Sequence, residues 1–194
     1  MKNDIILSGV GGQGILSIAA AIGLAAVENN LFLKQSELHG MSQRGGDVQS
    51  HFRLSDKPVM SDIIPLGKAD IIISVEPMES LRYLPWLSKT GWVVTNSSPY
   101  MNIPDYPSIE DILSEIKKIR NHIIVDAETL AKESGSVKAV NMVILGAASP
   151  YISMPFTSLE NAVKSLFGGK GTEIVEMNLK ALNAGRSYST GLVN

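Results

Sequence analysis

The chain has 194 residues, 44% of them hydrophobic and 19% charged, with a formal net charge of −2. That suits one packed domain and excludes the basic stripe that a nucleic-acid surface needs. It has no cysteine, which excludes disulfides, thiol nucleophiles and cysteine-ligated clusters carried by this chain and fits a cytoplasmic protein.

The opening "MKNDIILSG" is too poor in apolar residues for a signal-peptide core, and the most apolar stretch, Ile15 to Val27, is shorter than a membrane span. No membrane partner is expected. Asp4 to Ser8 reads as a strand that stops at "GVGGQG", Gly9 to Gly14, where a tight turn opens a helix near Gly12. Ile15, Ile18, Ala19, Ile22, Ala26 and Val27 recur at helical spacing, and Asn29 with Asn30 can end that helix. Leu31 to Gln35 is a second strand candidate. Ser36 to Gly46, "SELHGMSQRGG", reads as an irregular loop, and Asp47 to Leu54 alternates as a half-buried strand.

"ADIIISV", Ala69 to Val75, is a continuous apolar run of the kind found in a sheet covered on both faces. Pro77 opens a helix that breaks at Pro85. Trp92 to Thr95 is a strand, and Ser97 to Pro107 is loop. Ser108 caps a helix through Arg120. Ile123 to Val125 is a short strand, and Gly135 ends the helix after it. Lys138 to Ala148 is an apolar helix. Thr157 starts another, with Glu160 completing a capping box. Thr172 to Ala184 is the last helix, ended by Gly185. The pattern predicts a three-layer α/β/α sandwich with a mainly parallel, mixed central sheet and a helical C-terminal region. Residues 1–188 read as one domain and 189–194 as a flexible tail.

Gly9, Gly11 and Gly14 match G-x-G-x-x-G after a strand, with Gly12 inside the turn. They either bring a phosphate to the N–H groups of a helix start or only pack strand against helix. A dinucleotide site also needs an acid at the end of the second strand, for which Glu37 is the candidate. "HGMSQRGG" offers His39 for acid–base work, Gln43 and Arg44 as donors, and Gly45 and Gly46 for exposed backbone N–H groups. The segment is equally readable as a contact surface for a partner. The histidine spacing is poor for a metal, and none is expected. Glu76 and Glu79 lie three apart. Glu79 belongs in a helix first turn, where it suits the dipole. Asn141, inside an apolar helix, is either a link to a neighbouring loop or a ligand contact.

Five stretches in order, "GVGGQGI", "SELHGMSQRGGDVQSHFRL", "ADIIISVEPMESLR", "KAVNMVILGA" and "EMNLKALNAG", resemble the gamma-type domain of 2-oxoacid:ferredoxin oxidoreductases. The "SE-HGM-QRGG" form is most similar to the small beta subunit of the indolepyruvate branch. The resemblance implies a Rossmann-like subunit, with no catalytic residue of its own, in a complex that oxidatively decarboxylates an arylpyruvate to an acyl-CoA and reduces ferredoxin. Thiamine diphosphate and iron–sulfur clusters then belong to a large partner subunit, and coenzyme A is a co-substrate bordered by this chain. The alternatives are the gamma subunit of a pyruvate or 2-oxoglutarate complex, and a free-standing nucleotide-binding module. One departure is "TNSSPY", Thr95 to Tyr100, where the family often has an Asn-Thr-Arg-like run.

Overall fold

The computed structural model describes residues 1–40 and 45–193. In chain order its elements are β1 (Lys2–Val10), α1 (Ile15–Glu28), β2 (Phe32–His39), β3 (Asp47–Ser55), β4 (Ala69–Ser74), α2 (Pro77–Arg82), β5 (Leu87–Asn96), α3 (Ile109–Lys117), β6 (His122–Val125), α4 (Ala127–Glu133), α5 (Val140–Ala148), α6 (Phe156–Phe167) and α7 (Thr172–Val193). The strands form one sheet in the order β2-β3-β1-β4-β5-β6. β1, β4, β5 and β6 run parallel, and β3 is antiparallel to both its neighbours. The expected mixed α/β/α sandwich is the observed architecture.

β1 is the central strand, and every residue from Asn3 to Val10 is buried. Its side chains alternate between two cores. Ile5 and Leu7 enter the larger one, with α1, α5 and α6. Ile6 enters the smaller one, where Tyr83 and the α3 residues Ile112 and Ile116 pack. α5 lies between the sheet and α7, so no face of it meets solvent: Met142, Val143, Ile144 and Leu145 are all fully buried. Each such side chain contributes about 1.5–3 kcal/mol relative to exposure, which explains why this helix carries no amphipathic pattern.

Four expectations need correction. Ser36 to His39 is not loop: it continues β2, paired with His51 to Val48 of β3. Polar residues are tolerated there because β2 is a sheet edge with a solvated face. The capping box at Thr157 and Glu160 does not form. The N-cap is Pro155, which has no side-chain oxygen to offer, and Glu160 accepts from Asn183 Nδ2 at 3.2 Å. Residues Val137–Ala139 form a 3-10 turn before α5 starts at Val140. Gly185 does not end the last helix, which runs on to Val193. The segment read as a flexible tail is therefore helical up to that residue. It is anchored by Tyr188, whose hydroxyl donates to the Ile124 carbonyl at 2.9 Å, and by the fully buried Ser189.

Gly185 serves the packing of α7 on α5. A Cβ on Gly185 would stand 1.9 Å from the Val143 carbonyl oxygen, and one on Gly146 would stand 1.9 Å from that of Leu182. The two helices approach so closely only because each lacks a side chain where they cross. Arg186, one residue on, then reaches Ser149 Oγ at 2.9 Å and lies over the Phe156 ring at 4.3 Å.

Candidate functional site

The turn between β1 and α1 is built by glycines and one glutamine. Val10 N–H donates to Gln13 Oε1 at 2.8 Å, and Gln13 N–H donates back to the Val10 carbonyl at 3.1 Å. Gly9 must be small because a Cβ there would meet Gln13 Oε1 and Ile15 Cδ1 at 2.9 Å. Gly14 is the N-cap of α1 in the left-handed conformation, φ 80°, which costs a residue with a Cβ about 1–2 kcal/mol. α1 has no side-chain cap and no acid in its first turn. Its positive end is therefore not neutralised by its own chain.

Other segments close around this turn. Gly11 N–H donates to the Gly46 carbonyl at 2.8 Å, and Asn102 Nδ2 donates to the Gly45 carbonyl at 2.7 Å. Asn141, at the start of α5, donates through Nδ2 to the Gly14 carbonyl at 3.1 Å and accepts from Met142 N–H at 3.0 Å. The structural option for Asn141 is thus realised, and its amide also faces the cleft beside the turn. A Cβ on Gly14 would come within 2.5 Å of that amide nitrogen.

The turn forms one wall of a cleft of about 660 Å³ at the carboxyl ends of β1, β4 and β5. In open α/β sheets, ligands bind in this position. Gly12, Gln13, Gly14 and Ser17 of the turn and α1 line it, with Asn96, Ser98 and Tyr100 from the end of β5 and beyond, Asn141 of α5 and Asn178 of α7. Two lysines, Lys138 and Lys170, and one acid, Glu128, also line it, together with apolar Val137, Phe167 and Met177. The Lys170 ammonium lies 5.4 Å from the centre of the Phe167 ring. The lining mixes polar and apolar side chains, and its two lysines exceed its one acid.

Of the sequence-derived candidates, the structure brings together Gly9, Gly11, Gly12, Gly14, Gly45, Gly46 and Asn141. His39 is not in the cleft. It sits at the end of β2, about half exposed, paired with Glu37. Gln43 and Arg44 lie outside the described residues. Sequence reasoning missed Asn96, Lys138, Lys170 and Asn178. Asn96 had a signal, as the polar residue ending an apolar strand, whereas the lysines stand on segments that only the fold brings together. Glu37 fails as a ribose partner for a dinucleotide. β3 is inserted between β2 and β1, so the end of β2 lies two strand spacings, about 10 Å, from the glycine turn strand.

Glu76 and Glu79 are buried and act as pins. Glu76 caps α2 by accepting from Glu79 N–H at 2.7 Å, and its other oxygen accepts from the Tyr106 hydroxyl and from Tyr100 N–H at 3.4 Å. It thereby holds the loop that carries Tyr100 to the cleft rim. Glu79 receives a two-point bond from Arg82 at 2.9 and 3.2 Å; burial pushes its carboxyl pKa up against that pairing. Burial likewise pushes the Tyr83 hydroxyl up to about 12. His51 is a buried core residue. Its Nδ1 accepts from Ile64 N–H at 3.1 Å, its ring stands edge-on to Trp86, and burial lowers its pKa. Among the described residues no group of three or more His, Cys, Asp or Glu side chains could hold a metal ion, and no helix is long and apolar enough to cross a membrane.

The family model described as pyruvate ferredoxin/flavodoxin oxidoreductase matches residues 4–188. The indolepyruvate oxidoreductase subunit IorB of Archaeoglobus fulgidus is 38% identical over 192 residues, covering 95% of this chain and 94% of the relative. The gamma subunit of a keto/oxoacid ferredoxin oxidoreductase from Geobacter sulfurreducens shares the fold at a TM-score of 0.73 and 23% identity, covering 97% of this chain and 99% of that one. The 2-oxoglutarate:ferredoxin oxidoreductase of Magnetococcus marinus, solved with 2-oxoglutarate, coenzyme A and succinyl-CoA bound, matches at a TM-score of 0.76 and 20% identity, covering 98% of this chain and 31% of that longer one.

Proposed function

The chain belongs to the pyruvate ferredoxin/flavodoxin oxidoreductase family, and we propose on that basis that it is the small subunit of an arylpyruvate:ferredoxin oxidoreductase of the indolepyruvate type. The complex converts a 2-oxoacid and coenzyme A to an acyl-CoA and carbon dioxide, and the electron pair leaves to ferredoxin. One observation carries this reading: the 38% identity to an indolepyruvate oxidoreductase subunit along nearly the full length of both chains. Residues 1–188 serve as one unit, and a cytoplasmic location is part of the same reading.

The chain's own residues support a role beside the chemistry. With no cysteine, it does not fit an iron–sulfur cluster, whose thiolate ligands must come from a partner. Thiamine diphosphate, which performs the decarboxylation, also belongs to the large partner subunit in this reading. The cleft supports a contact with coenzyme A or with the partner's active-site edge. Lys138, Lys170 and the uncapped start of α1 supply positive charge for phosphates, and Phe167, Met177 and Val137 supply apolar surface. Lys170→Glu should raise the apparent KM for coenzyme A several-fold and leave the mass of the assembled complex unchanged.

The isolated chain should be inactive. Co-expression with its large partner should give reduction of a viologen dye that depends on both arylpyruvate and coenzyme A. Full activity of the large subunit alone would refute the role, and saturable binding of NAD(H) or FAD by the isolated chain would favour a nucleotide-binding module instead.

A further inference from the structure

β2 is the outermost strand of the sheet. Its inner edge pairs with β3 over all eight residues without a register shift. Among the described residues, its outer edge makes no backbone hydrogen bond. Alternate N–H and C=O groups along it point outward, as on any edge strand. Proteins usually blunt such an edge with a short strand, proline, a bulge or outward charges. The opposite edge, β6, is only four residues long. β2 is twice that length and has neither proline nor bulge. Its charges are turned back onto its own chain: Lys34 Nζ donates to the Met60 carbonyl at 3.2 Å, and Glu37 is held by His39 and by Gln35 Nε2 at 3.1 Å.

We propose that β2 is a self-association edge, pairing antiparallel with β2 of a second copy of this chain about a two-fold axis at Gln35. The sequence of the strand selects this occupant and this register. A two-fold axis perpendicular to the sheet keeps each face on its own side, so opposed residues must share a face. That restricts the pairing to registers centred on one residue. Phe32 and Leu38 are 50% and 58% exposed, lie six residues apart and share a face. Centring on Gln35 sets Phe32 against Leu38 of the copy, twice, and Lys34 against Ser36. Centring one residue further, on Ser36, sets Phe32 against Gly40 and Lys34 against Leu38, and both apolar pairs are lost. Directly opposed apolar pairs are the unit of stabilisation in an antiparallel sheet. A two-fold contact of this kind is closed, so it yields a dimer rather than a fibre.

The absence of cysteine allows a clean test on the full chain. Gln35→Cys places one thiol opposite its symmetry mate, within the reach of a disulfide. Mild oxidation should convert it to a covalent dimer of twice the 20.8 kDa chain mass. Ser36→Cys, which faces Lys34 of the copy, should remain uncrosslinked. Light scattering should give a dimer for the unmodified chain and a monomer for Phe32→Lys/Leu38→Lys. Phe32→Lys/Leu38→Glu should be dimeric again, now in a salt-dependent way, because each lysine meets a glutamate. Circular dichroism checks that each variant is folded, as expected for exposed Phe32, Gln35 and Leu38 and half-buried Ser36. A monomeric unmodified chain, equal crosslinking at positions 35 and 36, or a dimer that survives the double lysine change would overturn the proposal. A chain that is monomeric alone and protected at Gln35→Cys only with the large subunit present would assign the edge to that partner.

Discussion

The molecule uses glycine in two regions for opposite ends. At the crossing of α5 and α7, Gly146 and Gly185 remove side chains so that two backbones close the space between them. At the turn from β1 to α1, Gly12 and Gly14 take φ of 101° and 80°; the space beside Gly12 stays open, whereas that beside Gly14 is taken by the Asn141 amide. The first pair is set by contact and the second mainly by dihedral angle. The same missing Cβ thus fills a core in one place and opens a site in the other.

That contrast predicts a graded series. Gly146→Ala should have the largest effect, because the new methyl would collide with the backbone of Leu182, which cannot rotate away. Overpacking costs about 1–3 kcal/mol and occasionally more, and a collision with backbone belongs at the upper end, read as a lower midpoint in denaturant unfolding. A mild effect there would show that α7 can slide along α5. Gly14→Ala should cost less, about 1–2 kcal/mol for the left-handed dihedral plus the contact with Asn141. Adding Asn141→Ala should recover the contact part and leave the dihedral part, a coupling that a double-mutant cycle measures. Gly12→Ala meets nothing within 4 Å, so only its dihedral resists. It should lose about 1–2 kcal/mol at most with no coupling to Asn141.

The smallest expected effect is on pH. The pKa of His51 is lowered by burial from its ordinary 6.5, so the unfolded chain binds the proton more readily than the folded one. Its contribution is fully present above pH 6.5 and is lost as pH falls through the folded value. Thermal melting should show that loss in the parent chain, and a smaller slope in the same window for His51→Gln. An unchanged slope would remove His51 from the account of the core.

Much of this was legible along the chain. The run Asp4 to Ser8, the alternation from Asp47 to Leu54 and the apolar block at Ala69 each specify a strand from its immediate neighbours. The end of β2 was not legible. Ser36 to His39 lacks an apolar pattern, and only the partner edge of β3 makes it a strand. Half of the site was legible too, since a glycine-rich turn between a strand and a helix carries its own signature. Lys138, Lys170 and Asn178 were not, because they lie on separate segments that share a wall only after α5, α6 and α7 have packed.

The sequence by itself determined the order of strands and helices, the glycine turn and the family. These are local periodicities and motifs, and each is written within a few turns of backbone. The tertiary structure alone decided that β3 inserts between β2 and β1, which removes Glu37 from the turn. It alone decided that Gly185 continues a helix instead of ending it. A glycine has no side chain to declare its purpose, and what its backbone approaches is set by segments far away in the chain.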